Sequence, residues 1–215
     1  MVQTTTSPIR TLPILESGDR LSRAEFERRY ALVPDNINAE LIEGVVYVAA
    51  ALRYNRHGVP HSLIIIWLGT YGTLTSGVQV ADNATVRLDD KNEPQPDVLL
   101  RVEENYGGQS RISEDDYVEG APELIVEIAS SSASYDLHDK LIAYQRNGVR
   151  EYLVWLVEEN EFRWYVLEKG TYRQQEPDRD LLSSPFFPGL RLDVSALLAG
   201  DMAKVLSVLQ SGLQS

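Results

Sequence analysis

Two carboxylates stand where a chain can least afford them. Asp97 follows Pro96 at the head of the apolar run Val98-Leu99-Leu100, and thirty residues on Glu127 interrupts Leu124-Ile125-Val126-Glu127-Ile128. An acid inside a run that reads as a buried strand is costly unless something pairs with it. Two such acids point to a shared cation. Hard divalent metals such as magnesium take oxygen ligands and keep several waters, so two convergent carboxylates could form the protein half of a magnesium site. The plainer alternatives are a post-proline Asp97 that hydrogen-bonds its own backbone and a strand-end Glu127 that faces solvent. Glu123, at the entrance of the same run, reads as exposed.

Asp136 and Lys140 lie four residues apart beside an apolar stripe of Leu137, Leu141 and Tyr144. That spacing sets Lys140 at the edge of a helix's buried face, from which an ammonium can lean toward the strand carrying Glu127 and meet a phosphate oxygen or an attacking water. On spacing alone the two also read as a surface ion pair. His57 and His61 have the interval of a helical zinc pair, but Gly58 and Pro60 argue against a regular helix there, which leaves His61 as a cap or pocket residue. Glu40 and Glu43 alternate badly for one strand face, so at most one should point into a site. Ser130-Ser131-Ser132 precedes a helix and reads as a cap rather than a nucleophile cluster. Gly107-Gly108 is too little for a phosphate loop.

The elements that must position these groups follow from pattern. Ser22-Arg23-Ala24-Glu25 has capping-box spacing, with Phe26 and Tyr30 on one face, and predicts a helix over 22–31. Residues 39–49 read as two short strands around a turn at Glu43-Gly44. Pro60 opens a helix whose run 63–68 is apolar on every side. Residues 78–88 read as one strand, 89–94 as a turn, the residues after Asp97 as a strand, and 103–120 as an exposed loop. A βαβ unit follows: strand 123–129, helix 134–147 ended by Gly148, and strand 150–157, with parallel strands and a right-handed crossover. Strands near 162–168 and 171–175 and a helix over 201–211 complete the reading.

Composition sets the outer bounds. The chain has 215 residues, enough for a substantial core, and reads as a loose leader over 1–15 and one domain over 16–215. It contains no cysteine, which excludes disulfides and thiolate zinc sites and agrees with a cytoplasmic location. No segment has the length and apolarity of a membrane span. The net charge of -12 argues against a general affinity for phosphate backbones, although a bound metal supplies positive charge that residue counts ignore. The acidity favours a noncatalytic partner-binding module as the alternative to an enzyme. A two-carboxylate glycoside hydrolase ranks below both, for want of an aromatic platform. A homodimer is open as a base rate.

Glu40-Leu41-Ile42-Glu43-Gly44, His61, Pro96-Asp97, Pro122 through Ile128, Asp136 with Lys140, Tyr144, Gly148 through Tyr152 and Phe187-Pro188-Gly189-Leu190, in this order and spacing, resemble the Uma2-like endonuclease family of the restriction-endonuclease-like PD-(D/E)XK superfamily. The resemblance runs from about residue 20 to residue 198. It implies an α/β (α+β) fold, a mixed β-sheet flanked by helices with extra N-terminal and C-terminal strands. It further implies Asp97 and Glu127 as ligands of magnesium or manganese for phosphodiester hydrolysis in DNA, with Lys140 orienting water or stabilising the transition state and Glu40 as a further acid. His61 and Asp136 would belong to the pocket. The superfamily lysine two positions after the second acid is replaced here by Ala129, and the resemblance implies that Lys140 takes its place from the neighbouring helix. Leu153 and Leu156 stand where the family pattern has Trp and Asp.

Overall fold

The computed structural model describes residues 14–34, 37–49, 51–130 and 133–214. In chain order the elements are α1 (Arg23–Tyr30), β1 (Ala39–Ile42), β2 (Val45–Val48), α2 (Val59–Leu74), β3 (Val78–Asp82), β4 (Val86–Arg87), β5 (Val98–Val102), β6 (Arg111–Ile112), β7 (Val118–Glu119), β8 (Leu124–Ala129), α3 (Ala133–Tyr135), α4 (Leu141–Asn147), β9 (Glu151–Leu156), β10 (Glu161–Glu168), β11 (Thr171–Gln174), β12 (Leu181–Ser183), β13 (Arg191–Asp193), α5 (Val194–Leu198) and α6 (Met202–Leu213). Single π-helical turns, Tyr54–Gly58 and Asp136–Lys140, precede α2 and α4. The expected leader and the serine cap fall partly on residues 1–13, 131 and 132, which lie outside the described residues.

The central sheet has six strands in the order β11-β10-β9-β8-β5-β3. Among the described residues of this sheet only β8 and β9 pair in parallel, as a βαβ connection requires, so the sheet is mixed. Period-2 alternation divides its side chains between two layers. Val98, Leu100, Leu124, Val126, Ile128, Leu153 and Trp155 pack with α2, α5 and α6 on one face. Leu99, Ile125, Ala129, Tyr152, Val154 and Leu156 pack with Tyr144 of α4 on the other. Both faces of β8 and β9 are therefore buried, and burial is complete along both strands.

A third cluster ties Phe26 of α1 to Leu41 and Val46 of the β1–β2 hairpin. Its two-residue turn holds Glu43 at φ 51° and Gly44 at φ 75°, the left-handed pair that matches the twist of two-residue hairpins. Gly148 ends α4 at φ 82°.

Several expected elements differ. Residues 78–88 break at Asn83, whose φ is 50°, and the second part joins β6 and β7 in a separate three-stranded sheet. The segment 103–120 thus contributes two short strands and the buried Ser110 and Val118, and is not a plain exposed loop. In α2, Ile66 is 44% exposed while Ile64, Trp67, Leu68 and Tyr71 are buried, so the helix has one core face. Glu123 is buried, not exposed: its carboxylate accepts the N–H of Val102 at 2.7 Å and of Gln109 at 2.9 Å. The β12–β13 hairpin and α5 carried too short a pattern to be read.

Candidate active site

Strand pairing builds the site's floor. The antiparallel register of β5 and β8 pairs Val98 with Val126 and Leu99 with Ile125. Continuing it by one residue sets Asp97 opposite Glu127, on the sheet face that α4 covers. The Ile128 N–H donates to Asp97 Oδ2 at 2.6 Å, fixing the carboxylate at the strand end. Burial alone would raise the Asp97 carboxyl, but His57, the Ile128 N–H and the Lys140 charge hold it below its ordinary value.

Lys140 reaches Glu127 from the helical layer. Its Nζ donates to Glu127 Oε1 at 2.9 Å, lies 3.0 Å from Glu40 Oε2 and 3.8 Å from Asp136 Oδ1, and is buried. A surface pair with Asp136 is thereby ruled out, since both side chains are buried. Burial would lower the ammonium pKa, but Glu127, Glu40 and Asp136 hold it well above the usual value. Glu127 is pushed well up by burial and by Asp97, Asp136 and Glu40, with Lys140 opposing. Three carboxylates share one ammonium, so the local charge stays negative. Ala129, two positions after Glu127, packs in the core.

The π-helical turn Asp136–Lys140 contributes both of its charged ends to this cluster, and such turns recur at functional sites. Glu40 arrives from β1, where its Oε1 accepts the Gln95 N–H at 2.6 Å. Glu43 points elsewhere, pairing with Arg146 at 2.7 Å. These groups line one cleft of about 600 Å³, together with Tyr135, Ser130, Arg53 and Arg56. Leu153 and Leu156 pack in the two core layers and do not line it.

His61 does not line the cleft but lies beside Asp97, its Nε2 3.0 Å from the Asp97 carbonyl oxygen and 3.0 Å from Asp82 Oδ1. Two neighbours of the carboxylates were missed in the sequence. Tyr144, read as packing, donates its hydroxyl to Glu127 Oε1 at 2.8 Å. His57 lies with Nε2 2.8 Å from Asp97 Oδ1. Its four-residue interval to His61 was the available signal, set aside because of Gly58 and Pro60; the π-helical turn before α2 carries the helical path across that segment instead of breaking it.

The donor set suits a hard divalent cation. Asp97 and Glu127 stand opposite each other on adjacent strands, Oε2 of Glu127 accepts no hydrogen bond among the described residues, and Glu40, Glu127 and Asp136 outnumber the Lys140 ammonium that they surround.

Likeness to known proteins follows the same lines. A crystal structure described as a "putative nuclease belonging to DUF820" from Anabaena variabilis ATCC 29413 superposes with a TM-score of 0.62 at 13% identity, covering 80% of this chain and 96% of that one. At that identity the likeness establishes the fold. No curated protein matches. The family model described as "Uma2: Putative restriction endonuclease" matches residues 23–195, most of the chain and every residue of the cleft's carboxylate cluster, and the protein belongs to the Uma2 family.

Proposed function

We propose that the protein is a metal-dependent endonuclease that hydrolyses phosphodiester bonds in DNA. One observation carries this reading: Asp97, at the head of β5, stands opposite Glu127 within β8 in the strand register, with the Lys140 ammonium bonded to both Glu127 and Glu40. Asp97 and Glu127 would hold a magnesium or manganese ion. When bound, such an ion activates a water and offsets charge on phosphoryl oxygens.

The chain's own groups prepare the rest. Tyr144 and Lys140 both bond Glu127 Oε1, which orients the carboxylate and leaves Oε2 for the cation. Lys140, held charged, offers a fixed donor to a water or to the developing negative charge without reorganisation. Glu40 braces that ammonium from the opposite side. Arg53 lines the cleft and can meet a flanking phosphate, as can Arg56 by exchanging its Glu158 partner, which a chain of net charge -12 needs if it is to retain DNA.

The test is cleavage of labelled duplex and single-stranded DNA with magnesium or manganese, with chelator, and with Asp97→Ala and Glu127→Ala. Metal-dependent cutting lost in both variants is the expected result. Absence of cutting on every substrate, joined to absence of metal binding by calorimetry, would instead favour a noncatalytic partner-binding module of the same fold.

A further inference from the structure

Imidazoles crowd the outer side of Asp97. His57, in the π-helical turn before α2, and His61, in the first turn of α2, have ring centroids 5.3 Å apart. One ligand atom from each, with one Asp97 carboxylate oxygen, all lie within 4.8 Å of one another. Ligands bonded at about 2.0–2.2 Å to a common ion can be no more than about 4.4 Å apart, so small side-chain shifts suffice to close the set.

We propose that His57, His61 and Asp97 bind a divalent transition ion of the zinc, cobalt or nickel class, with Asp82 as a further oxygen donor. The proposal rests on the reading of this cleft as a cation site and shares Asp97 with it, but two of its ligands are imidazole nitrogens, and it does not use Glu127. Neutral imidazole suits borderline transition ions, whereas magnesium is held by oxygens. Asp97 is prepared for both roles: the Ile128 N–H takes Oδ2, while Oδ1 faces His57.

A purely structural role accounts poorly for His57. It is 7% exposed, and its Nδ1 is buried with no hydrogen-bond partner among the described residues. Most buried polar side-chain atoms, ring nitrogens included, are hydrogen-bonded in folded proteins. Among the described residues the one hydrogen bond of the His57 ring is to Asp97, and the ring can exchange that bond for a metal bond. Asp82, 3.0 Å from His61 and 59% exposed, can move toward the ion without disturbing the core.

The experiment is titration of the full chain, stripped with chelator, with cobalt(II), read by visible ligand-field absorption and by calorimetry, with zinc added afterwards as competitor. The expected result is an absorption band that saturates at one equivalent, is displaced by zinc and is not displaced by equimolar magnesium. His57→Gln and His61→Gln should each weaken cobalt binding at least ~10-fold, while Glu127→Gln keeps the band. Circular dichroism checks folding, and His57→Asn replaces a variant that fails it. Equal cobalt affinity in folded His57 and His61 variants overturns the proposal, as does a wild-type chain that takes up cobalt no better than magnesium. DNA cleavage indifferent to Glu127→Gln, with the cobalt band intact, would strike the nuclease reading alone; a missing band with Glu127-dependent cleavage would strike this proposal alone.

Discussion

Asp97 and Lys140 approach Glu127 from different layers of the molecule. Asp97 stands across from it in the sheet register, and Lys140 comes down from the helical layer to donate at 2.9 Å. A strand pair and a π-helical turn thus converge on one carboxylate, although the three residues are far apart in sequence.

Breaking this ion pair from one side should be costly. Lys140→Met leaves Glu127 and Glu40 without the cation they share, and loss of one partner of a buried pair destabilises by about 3 kcal/mol. Urea unfolding of Lys140→Met, Glu127→Gln and the double variant would measure it. The double variant should lose less than the sum of the singles, because it removes the stranded charge. Strict additivity would show that the pair is not coupled.

Glu40 and Glu43 give a contrast within one hairpin. Glu40 contacts Lys140 in the cleft, so Glu40→Gln should slow cleavage ~10-fold or more. Glu43 pairs with a half-exposed Arg146, and Glu43→Gln should leave the rate unchanged and alter stability by less than ~0.5 kcal/mol. Steady-state rates of the two variants, measured side by side, check this.

Glu151 should impose a pH dependence of its own. It is buried on β9, and burial pushes its carboxyl up to about 6, despite hydrogen bonds from Ser184, Trp164 and the Phe186 N–H. A carboxyl whose folded pKa exceeds its unfolded value of 4.5 binds its proton more tightly when folded. Its contribution is present below pH 4.5 and is lost as pH rises through about 6. A rise from 4.5 to about 6 corresponds to about 2 kcal/mol. Unfolding free energies at pH 4 and pH 7.5 should show wild type losing about that much more than Glu151→Gln over the interval.

Close backbone approach between α6 and the loop before β13 gives a purely structural test. A Cβ on Gly212 would stand 2.2 Å from the Gly189 carbonyl oxygen. Gly212→Ala must push the helix off the hairpin, at about 1–3 kcal/mol, measured by thermal unfolding. Gly170, around which a Cβ meets nothing within 4 Å, has φ 82°, so Gly170→Ala should carry only the backbone strain.

Elements with local signatures were legible in the sequence. The βαβ unit over 124–156 follows from apolar runs, a stop at Gly148 and parallel pairing, and the Glu43-Gly44 turn from its residues. What escaped depends on partners distant in the chain. Glu123 is buried because Val102 and Gln109 supply backbone N–H donors, which strand position alone does not reveal. The Val78–Leu88 segment breaks because residues 86–87 find β7 as a partner and not β5. The Asp97 and Glu127 positions stood out as acids in apolar runs, and Lys140 by its edge-of-stripe place. His57 did not, because the π-helical turn that aims it has no local signal beyond a spacing that two helix breakers argue against.

The central claim concerns Asp97 and Glu127 as the seat of metal-dependent hydrolysis. The most direct measurement is the single-turnover cleavage rate of labelled DNA in magnesium for wild type and Glu127→Gln, with folding verified by circular dichroism. The account predicts a fall of at least ~100-fold in a folded variant, together with loss of magnesium binding. A folded Glu127→Gln that cuts at the wild-type rate would contradict it.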